Sequence, residues 1–214
     1  MNFRNQFIAA TAMFLVLVMI ATWTDTVKQS KGRDKKLHMK GTSSPAKVLS
    51  IFELAKTAYI DGHTEEVMKL VDRLKFDVNF PIPTTGMSLF LCACISGERN
   101  LVNFLLRKGG DTSSVNSDGD SCLYLATFAT VNGTGSSLIE LLIRHGCKVN
   151  GQNYRGNTAL HLAASRGNAR LVQTLLNHSA DPVRANNVGI SPFDCAANAG
   201  HKEIAEMLER YTYI

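Results

Sequence analysis

Across most of this chain there is no paired-cysteine framework, no catalytic signature and no clustered basic face. The five cysteines are an odd number, so the disulfide scaffold of small secreted domains is not evident and a reducing compartment is favoured. Cys92 and Cys94 form a C-x-C pair, but residues two apart on a helix point to nearly opposite sides, which makes a poor metal site. A phosphate-binding loop, a Gly-x-Ser-x-Gly elbow, a His-Glu-x-x-His pair and the kinase motif set are all missing. Asn116-Ser117-Asp118-Gly119-Asp120 has the start of a calcium loop but lacks its closing glutamate, so a turn is the better reading. The expectation is therefore a protein without enzymatic activity, cofactor, bound metal or small-molecule substrate. Charge excludes a further class. From residue 48 onward 15 basic side chains face 16 acidic ones, so this part has no excess charge with which to hold nucleic acid.

What the chain does have is a period. Gly86, Gly119, Gly156 and Gly189 recur at intervals of 33, 37 and 33 residues. The clearest segment runs Gly156-Asn-Thr-Ala-Leu-His-Leu-Ala-Ala-Ser-Arg-Gly167, then Leu171-Val172, Leu175-Leu176 and Ala180-Asp181. Its apolar residues fall at helical spacing, and Gly167 is placed to end the first helix in the left-handed conformation. A period near 33 marks stacked repeats whose apolar faces are covered only by their neighbours. The single 37-residue interval places four extra residues between the two helices of one copy, around Thr130–Ser136, where Asn132, Gly133 and Gly135 do not sustain a helix.

These segments resemble the ankyrin repeat, whose pattern is a glycine followed by Thr-Pro-Leu-His, Ala-Ala, Gly-His, Ile-Val, Leu-Leu and Gly-Ala-Asp. Copies are placed at 83–115, 116–150, 153–185 and 186–214, with a degenerate first copy at 47–79. The resemblance implies a mainly α solenoid of about five helix–turn–helix repeats joined by hairpin turns. In this register Cys92 and Cys195 share the position of Leu162, Cys94 that of Ala164, Cys122 that of Ala159 and Cys147 that of Ala180. All five are expected to be packed thiols. His161 is the motif histidine, and the resemblance implies a structural role in which it ties neighbouring loops together. Lys69, Asp72, Arg73 and Lys75 in the first copy, and Glu209 and Arg210 in the last, provide the polar outer faces that terminal repeats need.

Ahead of the array, residues 5–24 are uncharged, and Phe7–Trp23 is dominated by apolar side chains. Twenty helical residues span about 30 Å, the thickness of a bilayer's hydrocarbon. Residues 25–46 follow as a flexible linker, and Lys28, Lys31, Arg33, Lys35, Lys36, Lys40 and Lys47 outweigh Asp25 and Asp34 around it. By the positive-inside rule this flank stays cytoplasmic, so residues 1–24 are expected to be a single-pass membrane anchor with the repeats in the cytosol. A cleaved signal peptide is the alternative. It would make the protein secreted and expose the sequons Asn132-Gly-Thr and Asn177-His-Ser to glycosylation. An organellar targeting segment is a third reading.

The resemblance implies a protein partner held on the concave face, by hairpin tips and by the ends of the first helices. In register the tip candidates are Met87, Asp118, Asp120, Tyr154, Arg155, Asn157, Asn187 and Ile190. The helix candidates are Ile95, Phe128 and Arg166. Tyr154 and Arg155 are the expected anchors, since Tyr and Arg are enriched where interfaces bind most strongly. The opposing reading turns Phe128 and Ile95 inward as core. Three functions remain open: a membrane-tethered adaptor, a secreted ankyrin-repeat protein, and an inhibitor of a signalling or transcription factor. The hydrophobic amino terminus counts against the last.

Overall fold

The computed structural model describes residues 51–58, 62–130 and 136–212. The Phe7–Trp23 anchor, the 25–46 linker and most of the four-residue excess lie outside the described residues. Contacts divide the chain into Met1–Lys40 and Gly41–Ile214, and every described residue belongs to the second unit.

Helices succeed one another in pairs. They are α1 (51–58), α2 (Thr64–Leu74), α3 (Leu89–Ser96), α4 (Arg99–Arg107), α5 (Cys122–Ala129), α6 (Ser136–Arg144), α7 (Ala159–Ser165), α8 (Ala169–Asn177), α9 (Pro192–Asn198) and α10 (Lys202–Thr212). There is no strand among the described residues beyond one antiparallel bridge, Val115 to Ser121. Helix α5 ends at Ala129 and α6 begins at Ser136, whereas α3 and α4 are separated only by Gly97 and Glu98. The four-residue excess therefore falls between the two helices of its copy, as the spacing predicts.

The first helices start where a short hydroxyl side chain can accept an orphan N–H. Ser88 accepts from Leu91, Ser121 from Tyr124, Thr158 from His161 and Ser191 from Asp194. Asp194 returns the bond to Ser191 in a capping box, and Pro192 opens α9, where its missing N–H costs nothing. Stacking then proceeds in two rows. Helices α3, α5, α7 and α9 pack in series, as do α2, α4, α6, α8 and α10.

The rows differ in sequence for a physical reason. The second helices bury one stripe, such as Leu171, Val172, Leu175 and Leu176 in α8. Helix α3 is sandwiched and is buried from Leu89 through Cys94, as expected of a helix apolar on all sides. That is why Cys92 and Cys94, pointing in different directions, are both buried. Cys122 and Cys147 are buried too, and Cys195 is half-buried. Lys69, Asp72, Arg73 and Lys75 are exposed at one end of the stack, and Glu209 and Arg210 at the other.

Candidate functional site

Three hairpin tips, those before Gly119, Gly156 and Gly189, are built by asparagine. Asn116 Oδ1 accepts from the N–H groups of Asp118 and Asp120, Asn153 Oδ1 from Arg155 and Asn157, and Asn186 Oδ1 from Val188 and Ile190. One side-chain oxygen thus closes each turn. Successive tips are laced together. Ser117 N–H donates to Thr85 O (2.9 Å), Tyr154 N–H to Asp118 O (3.0 Å) and Asn187 N–H to Arg155 O (3.1 Å).

Several residues expected to meet a partner are occupied by this lacing. Asp120 accepts from Asn153 at 2.8 Å and from Asn116 at 3.3 Å. Asn157 accepts from Asn186 at 2.8 Å, and Asn187 donates to Tyr154 O at 2.8 Å. Ile190 is half-buried, and its carbonyl is a partner of His161. Met87 is a correction. Its side chain is buried at 8% exposure, so it belongs to the core and not to the tip surface. The turn before it brings the Gly86 N–H onto Ile82 O and the Ile82 N–H onto Met87 O, folding the chain back over itself. Ile95 is half-buried.

The exposed candidates that remain are Asp118, Phe128, Tyr154, Arg155 and Arg166. Tyr154 is 69% exposed and lies across Gly119, where an added Cβ would stand 2.6 Å from its Cδ1. Phe128 points outward at 48% exposure. The guanidinium of Arg166 stacks over its ring, 3.9 Å from the centroid, and donates to Phe128 O at 2.6 Å. This cation–π contact joins neighbouring repeats and carries about 0.5–1 kcal/mol at a solvent-facing site.

Arg155 and Arg166 both lower the pKa of the Tyr124 hydroxyl. Burial, followed by the nearby Asp120 carboxylate, outweighs them and leaves it above its ordinary value. Tyr124 stands where His161 stands in the next copy, and this register position is the signal by which it could have been singled out. Asp118 and Arg155 are exposed at the tips. Val188, 75% exposed, adds an apolar tip beyond Tyr154.

His161 has the structural role that the resemblance implied. It is 2% exposed. Its Nδ1 accepts from the Thr158 N–H at 3.1 Å, so Nε2 carries the proton that points to Ile190 O at 3.1 Å. Burial lowers its pKa from the ordinary 6.5, partly offset by the bond to Ile190. A depressed folded-state value means that the unfolded chain takes up the proton first. The stabilisation is complete above pH 6.5 and is lost as pH falls through the folded-state value. His161→Ala is expected to cost about 1–2 kcal/mol at pH 7.5 and less at pH 5, so urea midpoints of the two proteins should converge on acidification. A constant gap would remove the neutral-imidazole assignment.

Comparison with known proteins agrees with this construction. Residues 127–212 match the family model for ankyrin repeats in three copies. The chain is an ankyrin-repeat protein. Ankyrin repeat domain-containing protein 63 of Homo sapiens is 34% identical over 131 residues, covering 60% of this chain and 34% of that protein. Transient receptor potential cation channel subfamily A member 1 of Homo sapiens is 28% identical over 155 residues, covering 72% of this chain and 14% of the channel. The B-cell lymphoma 3 protein homolog of Mus musculus is 36% identical over 97 residues, covering 45% of this chain and 21% of that protein. The chain thus spans about a third or less of the length of these relatives. Ankyrin repeats point to protein–protein interaction as its role.

Proposed function

We propose that the chain is a non-enzymatic adaptor that holds one protein partner against Tyr154, Arg155, Phe128 and Arg166 and is tethered to a membrane by Phe7–Trp23. The observation that carries the reading is the stacked Phe128–Arg166 pair. Arg166 of that pair and Arg155, which follows exposed Tyr154, both act on the Tyr124 hydroxyl. Aromatic and arginine side chains already held in place lose little conformational freedom on binding, which favours them as anchors. Phe7–Trp23 has the length and apolar character of a span, and the basic flank favours a cytosolic side for the repeats.

The test is in two parts. Proteins crosslinked to the full chain in cells are identified, and binding of each purified candidate is titrated. Tyr154→Ala with Arg166→Ala is expected to weaken the true partner at least about tenfold, while the remote surface change Lys202→Ala leaves it unchanged. Equal loss in both proteins would reject the face. Protease added to sealed membrane vesicles is then expected to digest the repeats and to find no glycan at Asn132 or Asn177. A protected, glycosylated array would support secretion instead.

A further inference from the structure

We propose that Cys122 and Cys147 form a dithiol site that an oxidant of the glutathione-disulfide class converts to a disulfide, clamping the open end of one helix pair. The two sulfurs stand 2.7 Å apart and are buried, although 25 residues separate them in sequence. Optimal non-bonded contacts between carbon atoms are already about 3.5–4.0 Å, and sulfur is larger. Bonding at about 2.05 Å requires a closure of only about 0.7 Å.

Their placement gives the bond a purpose. Cys122 is the first residue of α5, and Cys147 follows Gly146 in the turn after α6. These helices are joined on their other side by six residues, 130–135, against two between α3 and α4 and three between α7 and α8. A bond between Cys122 and Cys147 ties the pair at the end where the chain connection does not.

In the reduced state a shared S–H···S contact and burial push the Cys122 thiol far above its ordinary range. The thiolate therefore forms on local opening or during folding. Cys147, with 5% residue exposure against 0% for Cys122, is assigned as the attacking thiol. Its thiolate attacks oxidised glutathione, forming a mixed disulfide and expelling one glutathione thiolate. The Cys122 thiolate then attacks the protein sulfur of that mixed disulfide and expels the second. The two thiol protons pass to the two glutathiones, so the protein loses two hydrogens and glutathione disulfide is reduced.

The experiment equilibrates the full-length chain in graded mixtures of reduced and oxidised glutathione. One series uses the native protein and the other uses protein refolded from urea. Free thiols and linked peptides are then counted. The expected result is loss of two of the five thiols, a Cys122–Cys147 linked peptide and a melting temperature that falls again on adding dithiothreitol. Cys195→Ser should still lose two thiols. Cys122→Ser and Cys147→Ser should yield no linked peptide and no melting shift. Should Cys122→Ser not fold, Cys122→Ala serves, since Ala159 holds that position in the next copy. Five persistent thiols in a natively helical refolded chain, a stable glutathione adduct without the linkage, or a Cys94–Cys122 bond would each overturn the proposal.

Discussion

Gly156→Ala is expected to cost the stack about 3 kcal/mol and Gly189→Ala about 1 kcal/mol, although both glycines have φ near +80°. Both substitutions carry the strain of an L side chain in the left-handed region, about 1 kcal/mol. They differ in what lies next door. A Cβ at Gly156 would stand 2.5 Å from the backbone nitrogen of Asn187, on the following tip, whereas a Cβ at Gly189 meets nothing within 4 Å. The nitrogen cannot move aside without breaking its bond to Arg155 O at 3.1 Å. The recurring glycine therefore does two jobs in an inner repeat and one in the last. Urea titration of both variants and of the parent protein decides it. Equal losses would show that only φ matters and that tip-to-tip contact contributes little to the array.

That contrast bears on what could be read from the residues alone. The glycine period, the apolar helical spacing and the excess at 130–136 all follow from local rules of helix and turn chemistry, and each lies where the spacing put it. Met87 did not. Its position on a tip was right, but its side chain is buried because the turn through Gly86 folds the chain back over it. Tyr124 was not singled out, because its nearness to Arg155 and Arg166 arises only once neighbouring repeats are stacked. Asn116, Asn153 and Asn186 stand three residues before their glycines, a repeat within the repeat that a search for apolar period passes over. Asp120, Asn157 and Asn187 were chosen as polar tip residues. Each has a hydrogen-bond partner on an adjacent tip, Asn153, Asn186 and Tyr154 respectively, and only the stacked structure shows that they are engaged there. The proximity of Cys122 to Cys147 likewise requires the two ends of a helix pair to be brought together.

Leu160→Ala is expected to destabilise the array by about 3 kcal/mol, and Ala163→Leu by about 2–3 kcal/mol. Leu160 and Ala163 are each 1% exposed, and α7 is packed between α5 on one side and α9 on the other. Truncating Leu160 leaves a cavity that neither neighbour can fill without shifting its own row. Enlarging Ala163 has the opposite fault, since a small residue sets how closely the paired helices approach. In a linear stack each repeat is stabilised by the repeats beside it, so damage in an inner copy weakens two interfaces at once. The unfolding transition should therefore lose cooperativity as well as its midpoint, with α9 and α10 melting before the rest. Val188→Ala, at a 75% exposed tip, should stay within about 0.5 kcal/mol of the parent. Urea unfolding followed by circular dichroism, with hydrogen exchange read separately over α9 and α10, checks all three variants. Leu160→Ala behaving like Val188→Ala would mean that α7 does not carry the core. Uniform exchange over all the helices would mean that the array melts as one unit.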